Sequence, residues 1–224
     1  MFNKAVRYHS EMILFRGQLK ERHGLPLLCG NGTCMSKMKY IIQSILAAIR
    51  TETRLDLSLV GQLMHATQWH GPPHMISFRL DTPKVTVFVY KSGIIAFSGA
   101  RSEEELEQAK TIVRTSLTEG GIAIPEKLPH TVWNIVATAN LNRQIDLESL
   151  SARYFDQMIY DPESFSGAIF REKHSSLTVM AFGSGKLVLV GAKNRDDVES
   201  LLRHFVELLD RSESRMTMVD ESTE

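Results

Sequence analysis

The sequence predicts an α+β fold made of two similar halves, each placing one long amphipathic helix against an antiparallel sheet. The main observation is an internal repeat: the segment Ser92–Arg101 recurs as Ser184–Lys193, at an offset of 92 positions. Phe78–Arg79 matches Phe170–Arg171 at the same offset. A unit of roughly 90 residues is too long for a solenoid repeat, so we expect the halves to pack about a pseudo-two-fold axis. Such a protein suits a nearly two-fold symmetric ligand, and a DNA duplex is one.

The first half spans about residues 40–118. Asp56 is expected to begin a short helix over Leu57–Met64, and Lys91–Gly93 supplies a tight hairpin turn. Ser102 and Glu105 form a capping box that opens the long helix. The predicted strands are Ile41–Ile49, Met75–Leu80, Val85–Tyr90 and Ile94–Ser98. The apolar stripe of the long helix consists of Leu106, Ala109, Val113 and Leu117.

The second half, at about residues 131–210, repeats this order after the connector Glu119–Pro129, whose glycines and prolines break the pattern. Asn194 is expected to cap its long helix. The predicted strands are Val132–Ala139, Ala168–Arg171, Leu177–Phe182 and Leu187–Val190. The apolar residues of the helix are Val198, Leu201, Phe205 and Leu208.

The two ends of the chain lie outside the repeat. Residues 1–39 are expected to be a basic N-terminal extension that is poorly structured or holds a short helix over His9–Arg22. Residues 211–224 are expected to be an acidic disordered tail.

A helix on one side of each sheet leaves the other sheet face free. Strand alternation gives two sets of residues, of which one contains Val85, Val87, Val89, Leu177, Val179 and Ala181. The pattern does not decide which set lies under the helices. Both are largely apolar, so something else is expected to dock on the free face.

Composition excludes several classes of protein. Lys and Arg together number 26, as do Asp and Glu, so no overall positive charge advertises nucleic acid; a basic stripe on one face is still compatible with that balance. Two cysteines do not make a disulfide scaffold. No segment has the apolar length of a membrane span or of a signal peptide, and we expect an intracellular protein.

Motifs for chemistry are weak. Gly183–Lys186 hints at a phosphate loop, but that motif needs a glycine where Met180 lies and a helix after it. Cys29 and Cys34, with nearby histidines, are spaced too loosely to favour a zinc site. No catalytic triad or close carboxylate pair is indicated. We therefore expect no enzyme, no metal and no cofactor.

Taken alone, the most distinctive side chains have ordinary explanations as well. Phe165 and Phe182 fit core aromatics as well as exposed functional ones. Asn134, within a strand, fits a buried polar residue with a local partner. Arg and Lys after the repeated Gly-Ala fit solvated surface charges.

The ordered set of repeated motifs resembles the TATA-box-binding protein family over about residues 40–210. The second half carries the resemblance in Trp133–Val136, Ile145–Leu147, Tyr160–Arg171 and Ala181–Lys186. The first half carries it in Gln43–Leu46, Leu55–Leu57 and Tyr90–Glu104. The chain is thus identified as a divergent member or a related factor.

The resemblance implies a saddle, in which a curved antiparallel sheet straddles the DNA minor groove and helices on the convex face bind other transcription factors. Pairs of phenylalanines wedge between base steps and kink the duplex. Phe165 and Phe182 fill both wedge positions of the second half. In the first half Tyr90 matches Phe182, and Pro73 or His74 matches Phe165.

The resemblance also assigns the remaining DNA contacts. Asn134 and Val136 match residues on the groove floor, and Ser44 replaces the partner asparagine. The positions that match phosphate contacts are Arg79, Arg101, Arg171, Lys186 and Lys193, with Ile94 at the place that matches Lys186.

The resemblance finally implies partners and a function. Tyr160, Asp161 and Glu163 match the loop that recruits a transcription-factor-IIB-type partner, alongside transcription-factor-IIA-type factors, the RNA polymerase machinery and double-stranded promoter DNA. The expected function is basal transcription initiation in the nucleus, by bending promoter DNA. The alternative is an interaction scaffold with weak or altered DNA specificity. A role as an accessory domain of an enzyme is not favoured, because no length is left over for a catalytic domain.

Overall fold

The structure, a computed structural model, describes residues 39–65, 68–71 and 74–220. Its strands form one curved antiparallel sheet. The strands are β1 (Tyr40–Arg50), β2 (Gln68–His70), β3 (Met75–Arg79), β4 (Thr86–Tyr90), β5 (Ile94–Ala100), β6 (Thr131–Asn140), β7 (Met158–Ile159), β8 (Gly167–Arg171), β9 (Thr178–Phe182) and β10 (Lys186–Ala192). The helices are α1 (Leu57–Leu63), α2 (Glu103–Glu119), α3 (Leu147–Arg153) and α4 (Arg195–Asp220).

The strand order shows the expected pseudo-two-fold symmetry. It runs β2-β3-β4-β5-β1-β6-β10-β9-β8-β7, so each strand has its repeat counterpart at the same distance from the centre. At the centre Ile45 of β1 faces Ile135 of β6, which matches it in this part of the repeat at an offset of 90 positions. The axis therefore passes between these two strands, and the prediction of two halves about such an axis is confirmed.

The strands and helices predicted for the two halves are all present, with ends that differ by one or two residues except at the end of α4. The predicted caps form as well: Asp56 accepts hydrogen bonds from the Ser58 and Leu59 amides, and Ser102 accepts one from Glu105. The Asn194 side chain likewise accepts from the Asp197 amide. Strands β2 and β7 were not predicted, because two or three residues are too few to show an alternating pattern.

The prediction for the C-terminal tail is wrong over residues 211–220. Helix α4 continues to Asp220, past the expected end of the repeat at 210. The last turns of its packed part are held to the rest of the second half, since Arg153 donates to the Ser212 carbonyl at 3.1 Å. Once a helix is formed and held, each further residue adds one backbone hydrogen bond, so the helix propagates beyond its packed part. Residues 1–38 and 221–224 lie outside the described residues, with the predicted helix His9–Arg22.

The long helices cover one face of the sheet and bury the core beneath them. Val85, Val87, Val89, Val179 and Ala181 are fully buried, so the strand set that contains them lies on the helix side. The helix residues that meet them are those of the predicted stripes, including Leu106, Val113, Leu201 and Phe205. The alternation that the sequence left open is thereby decided.

The opposite side of the sheet, which we call the open face, carries the alternate set of side chains. Its members include Ser44, Leu46, Met75, Arg79, Thr86, Phe88, Tyr90, Ser98, Asn134, Val136, Gly167, Arg171, Met180, Phe182, Lys186, Val188 and Val190. None of the ten described strands contains an aspartate or a glutamate, while they hold Arg50, Arg79, Arg171 and Lys186. The balanced charge of the whole chain therefore conceals an acid-free sheet, because the acidic residues of the described chain lie in helices and loops.

Candidate nucleic-acid interface

Asn134 lies at the centre of the open face and is 7% exposed. Its Oδ1 accepts a 2.7 Å hydrogen bond from the backbone amide of Gly191 on β10. A backbone amide can only donate, so this bond fixes the orientation of the side-chain amide. The Nδ2 group is then the part of Asn134 that is left to face a ligand. It is a donor, and the minor-groove edge of an A·T pair offers only acceptors.

Ser44 occupies the matching place on β1, where it pairs with Val136 of β6. The side chain is 2% exposed, and its Oγ has no hydrogen-bond partner. Serine is too short to make the equivalent of the bond that Asn134 makes to Gly191 within its own half. The structure therefore places a second, unsatisfied hydroxyl donor beside the axis, where the sequence predicted a shorter replacement for asparagine.

We expect Ser44→Ala to raise the free energy of unfolding by about 1 kcal/mol, because a buried hydroxyl without a partner costs roughly 1–3 kcal/mol. Urea unfolding measures the change. The same variant should bind duplex DNA more weakly, since it loses the donor. Ser77→Ala is the control: Ser77 is equally buried on the open face but has an interaction partner, so its loss should not stabilise. A destabilised Ser44→Ala would show that the hydroxyl is satisfied in the free protein.

Phe165 and Phe182 meet at the outer part of the second half. Phe165 lies in the loop before β8, Phe182 ends β9, and both are partly exposed. Their ring centroids are 5.7 Å apart, with an interplanar angle of 67°, which is an edge-to-face pair. Such contact fixes both rings without burying them in the core. The structure thus brings the two rings together, and their role as wedges stays a prediction.

Gly167 makes this pair possible, and sequence reasoning missed it. The residue lies opposite Phe182 in the β8–β9 pairing. A Cβ atom at Gly167 would lie 2.9 Å from Phe165 Cε1 and 3.1 Å from Phe182 Cε1. Both distances are shorter than ordinary carbon contacts, so a side chain here displaces the rings. The glycine at position 167 is visible in the sequence, but its role is recognised only when the structure shows the rings of Phe165 and Phe182 next to it.

The first half differs at the same place. Tyr90 pairs with Met75, as Phe182 pairs with Gly167, and both pairs are related by the offset of 92. The sequence matches Phe165 with Pro73 or His74, in the loop before β3. Pro73 itself lies outside the described residues. Tyr90 is half-buried, and burial raises the pKa of its phenol, which stays protonated at neutral pH.

The predicted phosphate contacts surround the open face. Arg79 and Arg171 end the matching strands β3 and β8, and both are exposed. Lys186, also exposed, begins β10, while its counterpart Ile94 is half-buried. Within the described residues neither arginine forms an ion pair, so their guanidinium groups are available to an anion.

Arg101 and Lys193 follow β5 and β10, where each half turns into its long helix. The Arg101 amide donates to Glu105 Oε2 at 2.8 Å, and the Lys193 amide donates to Asp197 Oδ2 at 2.8 Å. These bonds fix the backbone of both residues in the same way in the two halves. Their exposed side chains therefore start from equivalent points on either side of the axis.

The predicted partner loop lies before β8. The Ser164 hydroxyl donates to Asp161 Oδ2 at 2.6 Å, and this bond holds the pKa of the Asp161 carboxyl below its usual range. Glu163 is exposed beside it, and its amide donates to Asp161 Oδ1. Tyr160 is partly buried against the core. The loop is thus an ordered, ionised acidic turn anchored by an aromatic ring.

Phe155 is a further residue that the sequence did not single out. It lies in the turn before β7 and is 81% exposed, and Ile159 on β7 is also exposed. Exposed apolar side chains mark an interaction site where they form a contiguous patch. No periodic pattern leads to Phe155, because the turn that contains it has none.

The described residues offer one group with metal-ligand character, formed by Glu103, Glu107 and His130. The Lys110 ammonium lies 2.7 Å from Glu107 Oε1 and 3.4 Å from His130 Nδ1. The Lys110 ammonium group already lies in this cluster, so the arrangement is that of an ion-pair network. Cys29 and Cys34 lie outside the described residues. Among the helices that the structure describes, none is long and apolar enough to cross a membrane.

Comparison with known proteins gives a consistent result. The family model described as "Transcription factor TFIID (or TATA-binding protein, TBP)" matches residues 39–119 and 129–212, which are the two halves. The TATA-box-binding protein of Pyrodictium occultum is 36% identical over 171 residues, covering 75% of this chain and 84% of the relative. That of Aeropyrum pernix is 31% identical over 182 residues, covering 80% and 89%.

A solved structure supports the same assignment. The Methanococcus jannaschii TBP superposes with a TM-score of 0.72 at 26% identity, covering 77% of this chain and 99% of that protein. The family model leaves out residues 1–38 and 213–224 of this chain. On its sequence, its two matched halves and its fold, the chain belongs to the TATA-binding protein family.

Proposed function

We propose that this chain is a basal transcription initiation factor that binds promoter DNA through its open face, in the minor groove, and bends it. The observation that carries the proposal is the open face itself: a sheet without acidic residues, with amide and hydroxyl donors at its centre and a phenylalanine pair toward one end. The family relatives named TATA-box-binding protein support it.

The centre of the open face suits the minor-groove floor. Apolar side chains such as Val136, Val188 and Val190 flank Asn134 and exclude water from the groove. The Asn134 Nδ2 donor meets an acceptor at A·T pairs, whereas a G·C pair adds the guanine amino donor, which repels it. This contact favours A·T-rich sites without distinguishing A·T from T·A.

The positive residues at the rim of the open face suit the two phosphate backbones. Arg79 and Arg171 project at matching places in the two halves, as do Arg101 and Lys193. Phosphate contacts of this kind supply affinity and orientation but carry no sequence information. The sequence preference therefore depends on the floor of the groove and on how easily the DNA deforms.

The partner contacts belong to the same proposal. Asp161 and Glu163 form an ionised turn beside the exposed Phe155, which suits a partner with a positively charged and apolar surface. A transcription-factor-IIB-type protein is the expected occupant, with a transcription-factor-IIA-type factor and the RNA polymerase machinery as further partners. A location in the nucleus is part of this prediction.

An interaction scaffold is the second candidate, and one observation favours it. The first half has Met75 and Tyr90 where the second has Gly167 and Phe182, so its capacity to wedge is reduced. A scaffold of this kind would hold partners through its helices and its acidic turn, and would bind DNA only weakly.

Fluorescence anisotropy on short duplexes, with and without a TATA-like step and at two salt concentrations, separates the two candidates. A promoter factor binds the TATA-like duplex at least tenfold more tightly than the other at both salts. A scaffold binds both duplexes alike, and its binding disappears at the higher salt.

Lys186→Ala should weaken binding by a similar factor on every sequence and reduce the slope of log affinity against log salt by about one, because one phosphate contact is lost. Titration at several salt concentrations measures the slope. Arg211→Ala is the matched control, since it removes one positive charge from the helix α4, on the other side of the sheet. An equal slope change in both variants would show that Lys186 acts only through the net charge.

A further inference from the structure

The two ends of the open face carry different side chains on strands that pair in the same register. Met75 on β3 faces Tyr90 on β4, and Gly167 on β8 faces Phe182 on β9. The strands are of equal length, and the paired residues are related by the same offset. Across these paired strands the difference between the ends therefore lies in the side chains.

In the second half, the bare Gly167 leaves space for two rings. A Cβ atom there would also lie 3.0 Å from the Ala181 carbonyl oxygen, in addition to its close approach to Phe165 and Phe182. The two rings consequently stand together above the glycine, partly exposed and in contact. A partly exposed apolar pair of this kind is able to wedge between base pairs.

In the first half, the same space receives the Met75 side chain. Residues that face each other across antiparallel strands have Cβ atoms about 4.5–5.5 Å apart, so the Met75 and Tyr90 side chains leave the sheet next to each other. Both side chains are half-buried. The flexible Met75 side chain and the single Tyr90 ring do not form a rigid paired wedge. The Tyr90 hydroxyl has no hydrogen-bond partner among the described residues, so its burial in a base stack costs free energy.

The means of holding phosphate are nevertheless similar in both halves. Arg79 and Arg101 in the first half occupy the positions that match Arg171 and Lys193 in the second. All four side chains are exposed. The hairpin turn of the first half adds Lys91 where the second has Gly183. The first half thus keeps the charge for gripping DNA while it lacks the paired rings for kinking it.

We propose that the two halves deform DNA unequally: the second half kinks the duplex at its end, and the first half holds the other end without a kink, because Met75 fills the place that Gly167 leaves open. The proposal rests on the proposed DNA-binding function. Its consequence is a fixed direction on DNA. A flexible pyrimidine–purine step lowers the free energy of a kink, and only the end under the second half gains from one.

Two measurements test the proposal. Affinities are compared for three duplexes of one length, with a flexible TA step at both ends of the site, at one end, or at neither. The duplexes with one and two steps should bind within twofold of each other, and the duplex with none at least fivefold more weakly. 2-Aminopurine beside the step in the one-step duplex then reports unstacking as a rise in fluorescence.

Gly167→Met gives the second half the side chain of the first, and should lower the 2-aminopurine rise at least threefold. Met75→Gly, the matched control, should leave it unchanged. Thermal melting checks that both variants fold. The comparison of the three duplexes uses the wild type, so it tests the proposal even if a variant does not fold. Binding at least fivefold tighter with two steps than with one, or equal effects of the two variants, would overturn the proposal. Absence of duplex binding by the wild type would instead overturn the proposed function itself.

Discussion

Replacing both Phe165 and Phe182 with alanine is expected to remove most of the bend in the bound DNA. The two rings contact each other on the open face and are only partly buried, so they present apolar surface to a base step. Stacking of a base on an aromatic ring contributes about 1–3 kcal/mol, and unstacking of the step offsets part of this gain. We expect the affinity to fall by about tenfold, which corresponds to about 1.4 kcal/mol.

Energy transfer between dyes at the two ends of a short duplex measures the bend of that variant. The double variant should give a nearly straight duplex while it keeps the salt dependence of the wild type, because the phosphate contacts are unchanged. Phe155→Ala is the control, since it removes an exposed ring from the turn before β7 and should leave the bend as it is. A bend of wild-type size in the double variant would show that these rings are not the wedge.

Gly185→Ala should be among the most destabilising substitutions on the open-face hairpins. Gly185 has a φ of 83°, and a Cβ atom there would lie 2.1 Å from the Arg143 carbonyl oxygen. Both the left-handed backbone and the clash with a backbone atom disfavour alanine, so we expect a loss of roughly 3 kcal/mol or more in the free energy of unfolding. The corresponding fall in Tm is about 10 °C for a domain of this size.

The control for Gly185 lies in the same hairpin. At Gly183 a Cβ atom would be 3.7 Å from the Ile145 carbonyl oxygen, which is an ordinary contact, and the first half has Lys91 at this place. Gly183→Ala should therefore change Tm by only a small amount, whereas Gly185→Ala should lower it strongly. Similar Tm values for the two variants, in calorimetry, would show that the loop at Arg143 gives way without strain.

Most helices, strands and turns of the two halves could be predicted from the sequence, because the repeat shows the pattern of each element twice. Asp56 and Asp146 cap matching short helices, and Ser102 and Asn194 precede matching long ones, so each signal confirms the other. The glycine of each hairpin, Gly93 or Gly185, marks a backbone with positive φ. These are local features, and local chemistry determines them.

The features that the sequence left open depend on contacts between distant residues. Both alternate sets of strand residues are largely apolar, so only the packing of α2 and α4 shows that Val87 and Val179 are covered. The role of Gly167 appears only when the rings of Phe165 and Phe182 meet above it. Strands as short as β7 and the extension of α4 to Asp220 carry no periodic signal of their own.

The most direct test of minor-groove binding by the open face is the affinity for a TATA-like duplex in which every A·T pair is replaced by an inosine·cytosine pair. That pair has the minor-groove acceptors of A·T without the guanine amino group, while its major groove resembles that of G·C. Readout by Asn134 from the minor groove predicts that the inosine duplex binds with an affinity within about threefold of the original duplex, a difference of about 0.6–0.7 kcal/mol. It also predicts much weaker binding to the matching G·C duplex. Equally weak binding to the inosine and G·C duplexes would contradict the account.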